Sequence, residues 1–431
     1  MKIKSLELKN YRCFKETAIN FSDITILTGA NSSGKSTVIT AILLYLQSEH
    51  FPFYLNLNGK YINLGDFPNI AHTEQEPITF IFQLINEKYK LNISASWEKR
   101  KVKGNHLPIV SNLLLENSNK RFIKIQKEKN SYLLSMNIST KGYIIGRIKE
   151  QLLKFLDNQK KAFINKEEFI LDEHPFKSTD DIIENVLFNK FYIVEHFIQE
   201  NDYKRNQMDS NFNYIGSFRL EPQRTYYQKN APESKIDSVG NGYIDTIIKW
   251  EQDNSEKLLS LKEILKDLDL FYDLKVNYMQ GGRVELKVKT FKSGKLVSIS
   301  DVGFGISQFL PIIVADLQLS DDSLLAISQP EIHLHPSIQA KFSEYIALQV
   351  KKKRKQYIIE THSEYILNRL RLLITKKELK EENVSTYYFE NSGKESKTYK
   401  IDFSKDGKIL NAPKGFFETY MLDVMDIALN A

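Results

Sequence analysis

The chain has 431 residues, of which 42% are apolar, 12% aromatic and 26% charged, with a formal net charge of +6. These values suit a folded chain of two or three domains and exclude a disordered or collagen-like one. The single cysteine, Cys13, excludes an internal disulfide and a cysteine-based metal cluster, which points to a reducing compartment. So mild an excess of positive charge permits nucleic-acid contact without arguing for it, because nucleic-acid binders usually concentrate their charge.

The first residues, Met1-Lys2-Ile3-Lys4-Ser5-Leu6-Glu7-Leu8, alternate charged and apolar like a strand and do not form a secretory signal. Strands are predicted over 3–9, 15–21 and 24–28, with Leu8-Lys9-Asn10-Tyr11-Arg12-Cys13-Phe14 between the first two. The third strand runs into Gly29-Ala30-Asn31-Ser32-Ser33-Gly34-Lys35-Ser36-Thr37, and residues 38–44 then form an apolar helix. This is G-x-x-x-x-G-K-[ST] in its strand, loop and helix setting. Its glycines let successive backbone N–H groups face one concavity, and the helix start adds positive dipole. Such a loop cradles the phosphates of a nucleoside triphosphate. Lys35 would neutralise the β- and γ-phosphates, and the Ser36 hydroxyl would ligate Mg2+.

Residues 78–82 and 89–95 are strand-like around a turn at 86–88 and suit an antiparallel meander. From 101 to 210 charge, Asn and helical Leu/Ile/Phe spacing dominate, as in 148–155 and 182–197, which predicts a helical insertion. Residues 214–224 return to a strand and turn, and 244–270 predict a helix. Residues 284–289 alternate cleanly and pair with 296–299 through a turn at 292–295. No fixed-period repeat, long heptad run or low-complexity linker is present. No apolar run approaches the roughly 20 residues needed to cross a bilayer. The most apolar run, 306–319, carries Gln308, Pro311, Asp316 and Gln318. A soluble, cytoplasmic chain without membrane contact is expected.

Ser300-Asp301-Val302-Gly303-Phe304-Gly305-Ile306-Ser307-Gln308 is a second Ser/Gly-rich turn ahead of a helix predicted over 309–319. A buried strand at 324–327 then ends in Ser328-Gln329-Pro330-Glu331-Ile332-His333-Leu334-His335-Pro336. His333 and His335 could ligate a metal, but they alternate faces if extended and no third ligand lies nearby. A further buried strand ends in Glu360-Thr361-His362-Ser363. The basic run Lys351-Lys352-Lys353-Arg354-Lys355 fits either a nucleic-acid contact or a solvated helix end favoured by the helix dipole.

These motifs, in this order, resemble the heads of the SMC, RecF and OLD group of ATP-binding-cassette ATPases. The resemblance implies an α/β P-loop NTPase of the ABC/SMC-head type with an antiparallel β lobe and a helical insertion. The head would be split into 1–100, holding the phosphate loop and lobe, the insertion at 101–210, and 211–431, holding the remaining motifs. It makes Ser300, Gly303, Gly305 and Ser307 a signature turn that caps ATP held by another copy, so a homodimer or higher homo-oligomer is expected. The segment 328–336 looks like the Walker B and D-loop region of OLD-like ATPases, and His362 like the histidine that senses the γ-phosphate. Arg12 sits where that group often keeps a basic residue near the nucleotide. The sequence departs from the pattern where Ser328 and Gln329 replace carboxylates. A Ser can hold a metal-bound water and a Gln can orient an attacking one, while Glu331 remains as the carboxylate to activate it. The chain also resembles the ATPase subunits of bacterial anti-phage systems such as Septu, retrons and PARIS, which implies a separate effector, commonly a nuclease. No HNH or Toprim nuclease constellation is found in the sequence. The alternatives are a DNA repair or recombination ATPase that acts directly on DNA, and an ATP-held scaffold with little hydrolysis.

Overall fold

The computed structural model describes residues 2–48, 51–52, 54–85, 90–102, 105–128, 132–139, 162–164, 168–176, 211–228, 235–413 and 416. They belong to two compact units, one made of 1–20, 40–209 and 391–397, the other of 21–39, 210–390 and 398–431. The chain opens with β1 (Lys2–Tyr11), β2 (Phe14–Asn20) and β3 (Ile24–Gly29), followed by helix α1 (Lys35–Gln47). Strands β1 and β2 lie in the first unit and β3 in the second.

The first unit continues with the short helix α2 (Phe67–Ile70) and strands β4 (Ile78–Ile85), β5 (Lys90–Val102), β6 (Asn105–Asn117) and β7 (Phe122–Lys127). Strands β8 (Tyr132–Ser139), β9 (Ala162–Ile164) and β10 (Glu168–Phe176) complete it. They form one nine-stranded sheet in the order β2-β1-β4-β5-β6-β7-β8-β10-β9, antiparallel throughout. In β4 the residues Ile78, Phe80, Phe82 and Leu84 are buried while their neighbours are partly exposed. That is the period of two expected of a half-buried strand. Phe80, Phe82 and Phe51 gather with Trp97, whose indole N–H donates to the Pro52 carbonyl at 2.8 Å.

The described part of 101–210 corrects the expected helical insertion. Residues 105–176 contribute five strands. The alternation is visible in β7, where Ile123 and Ile125 are buried and Lys124 is exposed. It is masked in β6 by the run Leu113-Leu114-Leu115. The segments 148–155 and 182–197 lie outside the described residues, as does the turn at 86–88.

The second unit is a mixed sheet with helices. Its elements are β11 (Phe212–Ile215), β12 (Tyr226–Tyr227), α3 (Tyr243–Gln252), α4 (Glu256–Asp267), β13 (Asp273–Tyr278), β14 (Arg283–Lys289) and β15 (Val297–Ser298). They continue with α5 (Phe304–Gln318), β16 (Leu324–Ser328), α6 (Pro336–Lys353), β17 (Gln356–Glu360), α7 (Glu364–Thr375), β18 (Val384–Asn391), β19 (Ser396–Phe403) and β20 (Ile409–Leu410). The main sheet runs β11-β16-β17-β3-β18-β19-β20, and its first five strands are parallel. Every residue of β16 and β17 is buried, which accounts for their continuous apolar runs. Ile26, Ile327 and Ile359 share a buried cluster with Phe309 of α5 and Phe342 of α6, whose rings meet edge to face at 5.0 Å.

Two expectations shift here. The helix predicted over 244–270 is broken between α3 and α4, where Asn254 takes a left-handed φ of 47° and Ser255 caps the second helix. Helix α5 starts at Phe304 rather than 309 and runs through Pro311. Among the described residues no helix is long and apolar enough to cross a membrane.

Candidate nucleotide and metal site

The parallel strands bring their carboxyl ends together, where open α/β sheets bind ligands. Strand β3 stops at Gly29, whose φ is +135°, and a Cβ there would lie 2.2 Å from the Phe389 carbonyl oxygen. Only glycine fits. The chain then turns through Ser32 and Gly34, both at positive φ, and α1 begins at Lys35. The Lys35 side chain is nearly fully buried. Its ammonium donates to the carbonyls of Gly29 at 3.1 Å and Ala30 at 2.7 Å. Burial lowers its pKa, and the nearby carboxylates Glu360 and Glu331 pull it back up. Ser33 Oγ is buried without a hydrogen-bond partner.

The next residue, Ser36, donates its hydroxyl proton to Glu360 Oε1 at 2.7 Å. Glu360 ends β17, directly opposite Ser328 at the end of β16, and Ser328 Oγ donates to Glu360 Oε2 at 2.9 Å. Gln329 N–H closes the same corner on the Glu360 carbonyl at 2.7 Å. Glu360 has no role in the motifs that the sequence displays. Its signal was an acidic residue at the end of the otherwise apolar Tyr357-Ile358-Ile359, just ahead of the Thr-His-Ser loop.

Glu331 lies in the turn after β16, bent by left-handed Gln329 and His333. Its Oε1 accepts the His362 backbone N–H at 2.7 Å. Its Oε2 is buried without a hydrogen-bond partner. The structure thus joins Lys35, Ser36, Glu331 and His362 and adds Glu360. Burial lowers the His362 pKa and Lys35 lowers it further, against the pull of Glu331 and Glu360, so the imidazole is neutral at neutral pH. Arg219, buried and unassigned by the sequence, donates to the carbonyls of Ser328 at 2.7 Å and Gln329 at 3.0 Å. Burial pulls its pKa down to about 10, which leaves it charged at neutral pH.

The four residues of the signature turn separate. Ser300 is half-buried and bonded to Ser298 Oγ at 3.1 Å. Gly303 precedes α5, where no side chain caps the helix, and a Cβ on it would meet open space. A Cβ on Gly305 would lie 2.0 Å from the His333 carbonyl oxygen, so that glycine is required for packing against the turn after β16. Ser307 is buried inside α5.

His335 caps α6, its Nδ1 accepting the Ser337 N–H at 3.3 Å. Among the described residues no group of three or more His, Cys, Asp or Glu could hold a metal ion by itself. Ser36 and Glu360 nevertheless supply oxygen atoms beside the phosphate loop, the donor type a hard cation such as Mg2+ takes with phosphate oxygens and waters completing its shell. The orphaned Ser33 Oγ, in the loop itself, suits a phosphate oxygen. Arg12 is exposed, at a left-handed φ of 51° between β1 and β2. The basic run is not a uniformly solvated end: Lys353 and Arg354 pair with Asp321 and Asp322, and Lys355 is buried against Asp316.

The AAA ATPase domain family model matches residues 1–367. The chain belongs to that family. It is therefore an ATPase, and the family implies the use of ATP. A stretch of 93 residues is 34% identical to the DNA double-strand break repair Rad50 ATPase of Thermococcus kodakarensis, covering 21% of this chain and 10% of that protein. The chain thus spans a small part of that relative's length. Among solved structures, the SMC head domain from Thermotoga maritima is similar with a TM-score of 0.40 and 12% identity, over 92% of this chain and 98% of that one. The SmcHead bound to the C-winged helix domain of ScpA is similar with a TM-score of 0.44 and 13% identity, over 94% and 99%.

Proposed function

We propose that two copies of this AAA ATPase close around ATP, in the manner of SMC and Rad50-type heads, and that the closed pair regulates or scaffolds a separate effector. The observation that carries the pairing is the start of α5. Gly303 leaves the helix N-terminus without a side-chain cap and faces open space, which suits the phosphates of a second copy. A nuclease controlled in anti-phage defence is the effector we favour, supported by the resemblance of 328–336 to OLD-like ATPases and of the chain to the ATPase subunits of those systems. The Rad50 match supports a second reading, an ATPase acting directly on DNA.

Within one copy Lys35 leaves the Gly29 and Ala30 carbonyls to meet the β- and γ-phosphates. Mg2+, when bound, screens the phosphate charge from the side of Ser36. Glu331 accepts the proton of the attacking water on its unpartnered Oε2, and its other oxygen is fixed by His362 N–H. Gln329 orients that water, and His362 registers the γ-phosphate as a neutral donor. Ser300 and Gly303 of the other copy complete the site.

Light scattering with and without ATP tests the pairing. Wild type should double in mass with ATP, while Lys35→Ala and Gly303→Arg should each fail. An equal mixture of the two variants should regain a dimer, because one of its two sites is intact. A wild-type mass indifferent to ATP would sink the reading. Duplex DNA retained only with ATP, and released between about 50 and 200 mM salt, would favour direct action on DNA over the effector.

A further inference from the structure

We propose that Glu360 would help to hold a magnesium ion beside Ser36, the task that P-loop ATPases usually give to an acid at the end of the strand carrying Ser328. This rests on the reading that the loop binds ATP with Mg2+.

Position 328 has no charge to offer. On neighbouring parallel strands, however, Ser328 and Glu360 are paired residue to residue, about 4.8 Å apart across the sheet. A glutamate side chain is long enough to cover that gap. Glu360 places one carboxylate oxygen on Ser328 Oγ at 2.9 Å and the other on Ser36 Oγ at 2.7 Å. The negative charge therefore reaches the P-loop serine from the adjacent strand.

A purely structural clasp between β17 and α1 is the competing explanation, and the charge argues against it. Glu360 is only 6% exposed, and both partners of its carboxylate are neutral hydroxyls. A buried carboxylate without a bonded cation is costly, and a neutral amide could bridge the hydroxyls without that cost. The nearby ammonium of Lys35 is bonded instead to the carbonyls of Gly29 and Ala30. A divalent cation beside Ser36 supplies the missing charge. Glu331 is arranged differently, with one oxygen on a backbone N–H and the other unpartnered, which suits proton transfer rather than a metal shell.

The test is a Mn2+ titration of the full chain with ADP, read by the electron paramagnetic resonance signal of free Mn2+. Binding of a fluorescent ATP analogue in EDTA is measured alongside. Glu360→Gln should weaken Mn2+ binding about 10–100-fold while metal-free nucleotide binding stays at the wild-type level. The Ser328→Asp/Glu360→Ser double variant, which returns the acid to β16, should recover most of the lost Mn2+ affinity. Glu331→Gln should retain wild-type Mn2+ affinity. Unchanged Mn2+ binding in Glu360→Gln, or a loss of about 10-fold or more in Glu331→Gln, would overturn the assignment. The second of these outcomes can be read even if Glu360→Gln does not fold. A wild-type chain that binds no nucleotide in EDTA and none with Mn2+ would instead overturn the ATP reading beneath it.

Discussion

Replacing Asp316 by asparagine removes the carboxylate that offsets a buried ammonium. Asp316 of α5 is fully buried, and Lys355, ahead of β17, is 3% exposed. Oδ1 accepts from Tyr357 Oη at 2.9 Å and lies 3.2 Å from Lys355 Nζ. Oδ2 accepts from Tyr345 Oη at 2.5 Å, and Lys355 also donates to the Asp316 carbonyl at 2.6 Å. Burial and the Asp316 charge push both phenols well above their ordinary pKa, so they remain neutral donors. Breaking a buried ion pair by removing one partner costs about 3–5 kcal/mol. Asparagine keeps some of the hydrogen bonds, so about 3 kcal/mol is expected. Domain stabilities are about 5–15 kcal/mol, which makes this a large fraction. Asp316→Asn with Lys355→Met removes the charges together, keeps an amide oxygen to accept from a phenol, and should recover all but about 1–2 kcal/mol. Urea unfolding in a Trp97→Phe background, followed through Trp250 of the second unit, measures both. A loss under about 1 kcal/mol in Asp316→Asn, or a double variant no more stable than the single one, would refute the reasoning.

Gly29→Ala should destabilise the second unit by about 3 kcal/mol, because left-handed strain and a clash with the Phe389 carbonyl add together; urea unfolding reads it. In Lys35→Ala, ATP affinity by calorimetry should fall about 10–100-fold, since a hydrogen bond from a charged group is worth about 1.5–3 kcal/mol. Glu331→Gln should lower phosphate release about 100-fold or more with ATP affinity retained. For His362 the folded pKa lies below its ordinary value of 6.5. As pH falls below about 6.5 the unfolded chain takes up a proton that the folded chain resists. Stability is thus lost on acidification, and His362→Gln should remove that part of the loss in urea titrations at pH 5 to 7.

The phosphate loop was legible because its function fixes residue type, spacing and flanks together. The parallel strands were legible because burial on both faces leaves uninterrupted apolar runs, as in 324–327. The strands of 105–139 were not. Runs such as Leu113-Leu114-Leu115 carry no period, and the 6 residues of β7 offer too few turns to separate 2 from 3.6. Arg219 and Glu360 were missed because their partners, Ser328 and Ser36, lie 109 and 324 residues away. Ser307 and Gly305 were assigned to a ligand because glycine and serine before a helix serve packing and binding alike. Only the His333 carbonyl, 2.0 Å from a Cβ on Gly305, separates the two.

The serine at 328 looks like a damaged site only when the motif is followed along one strand. In a parallel sheet, neighbours in space come from distant segments, and a carboxylate lost from one strand end can be restored from the next. Here β16 supplies a hydroxyl, β17 a carboxylate over it, and the turn after β16 a second carboxylate on the backbone of the His362 loop. The two acids are held by different donors, Glu360 by two side-chain hydroxyls and Glu331 by a backbone N–H. Arg219 fixes the strand end from beneath through the carbonyls of Ser328 and Gln329, contacts independent of either side chain. A strand end held by its backbone tolerates change in its side chains, and that tolerance lets the acid reside on β17.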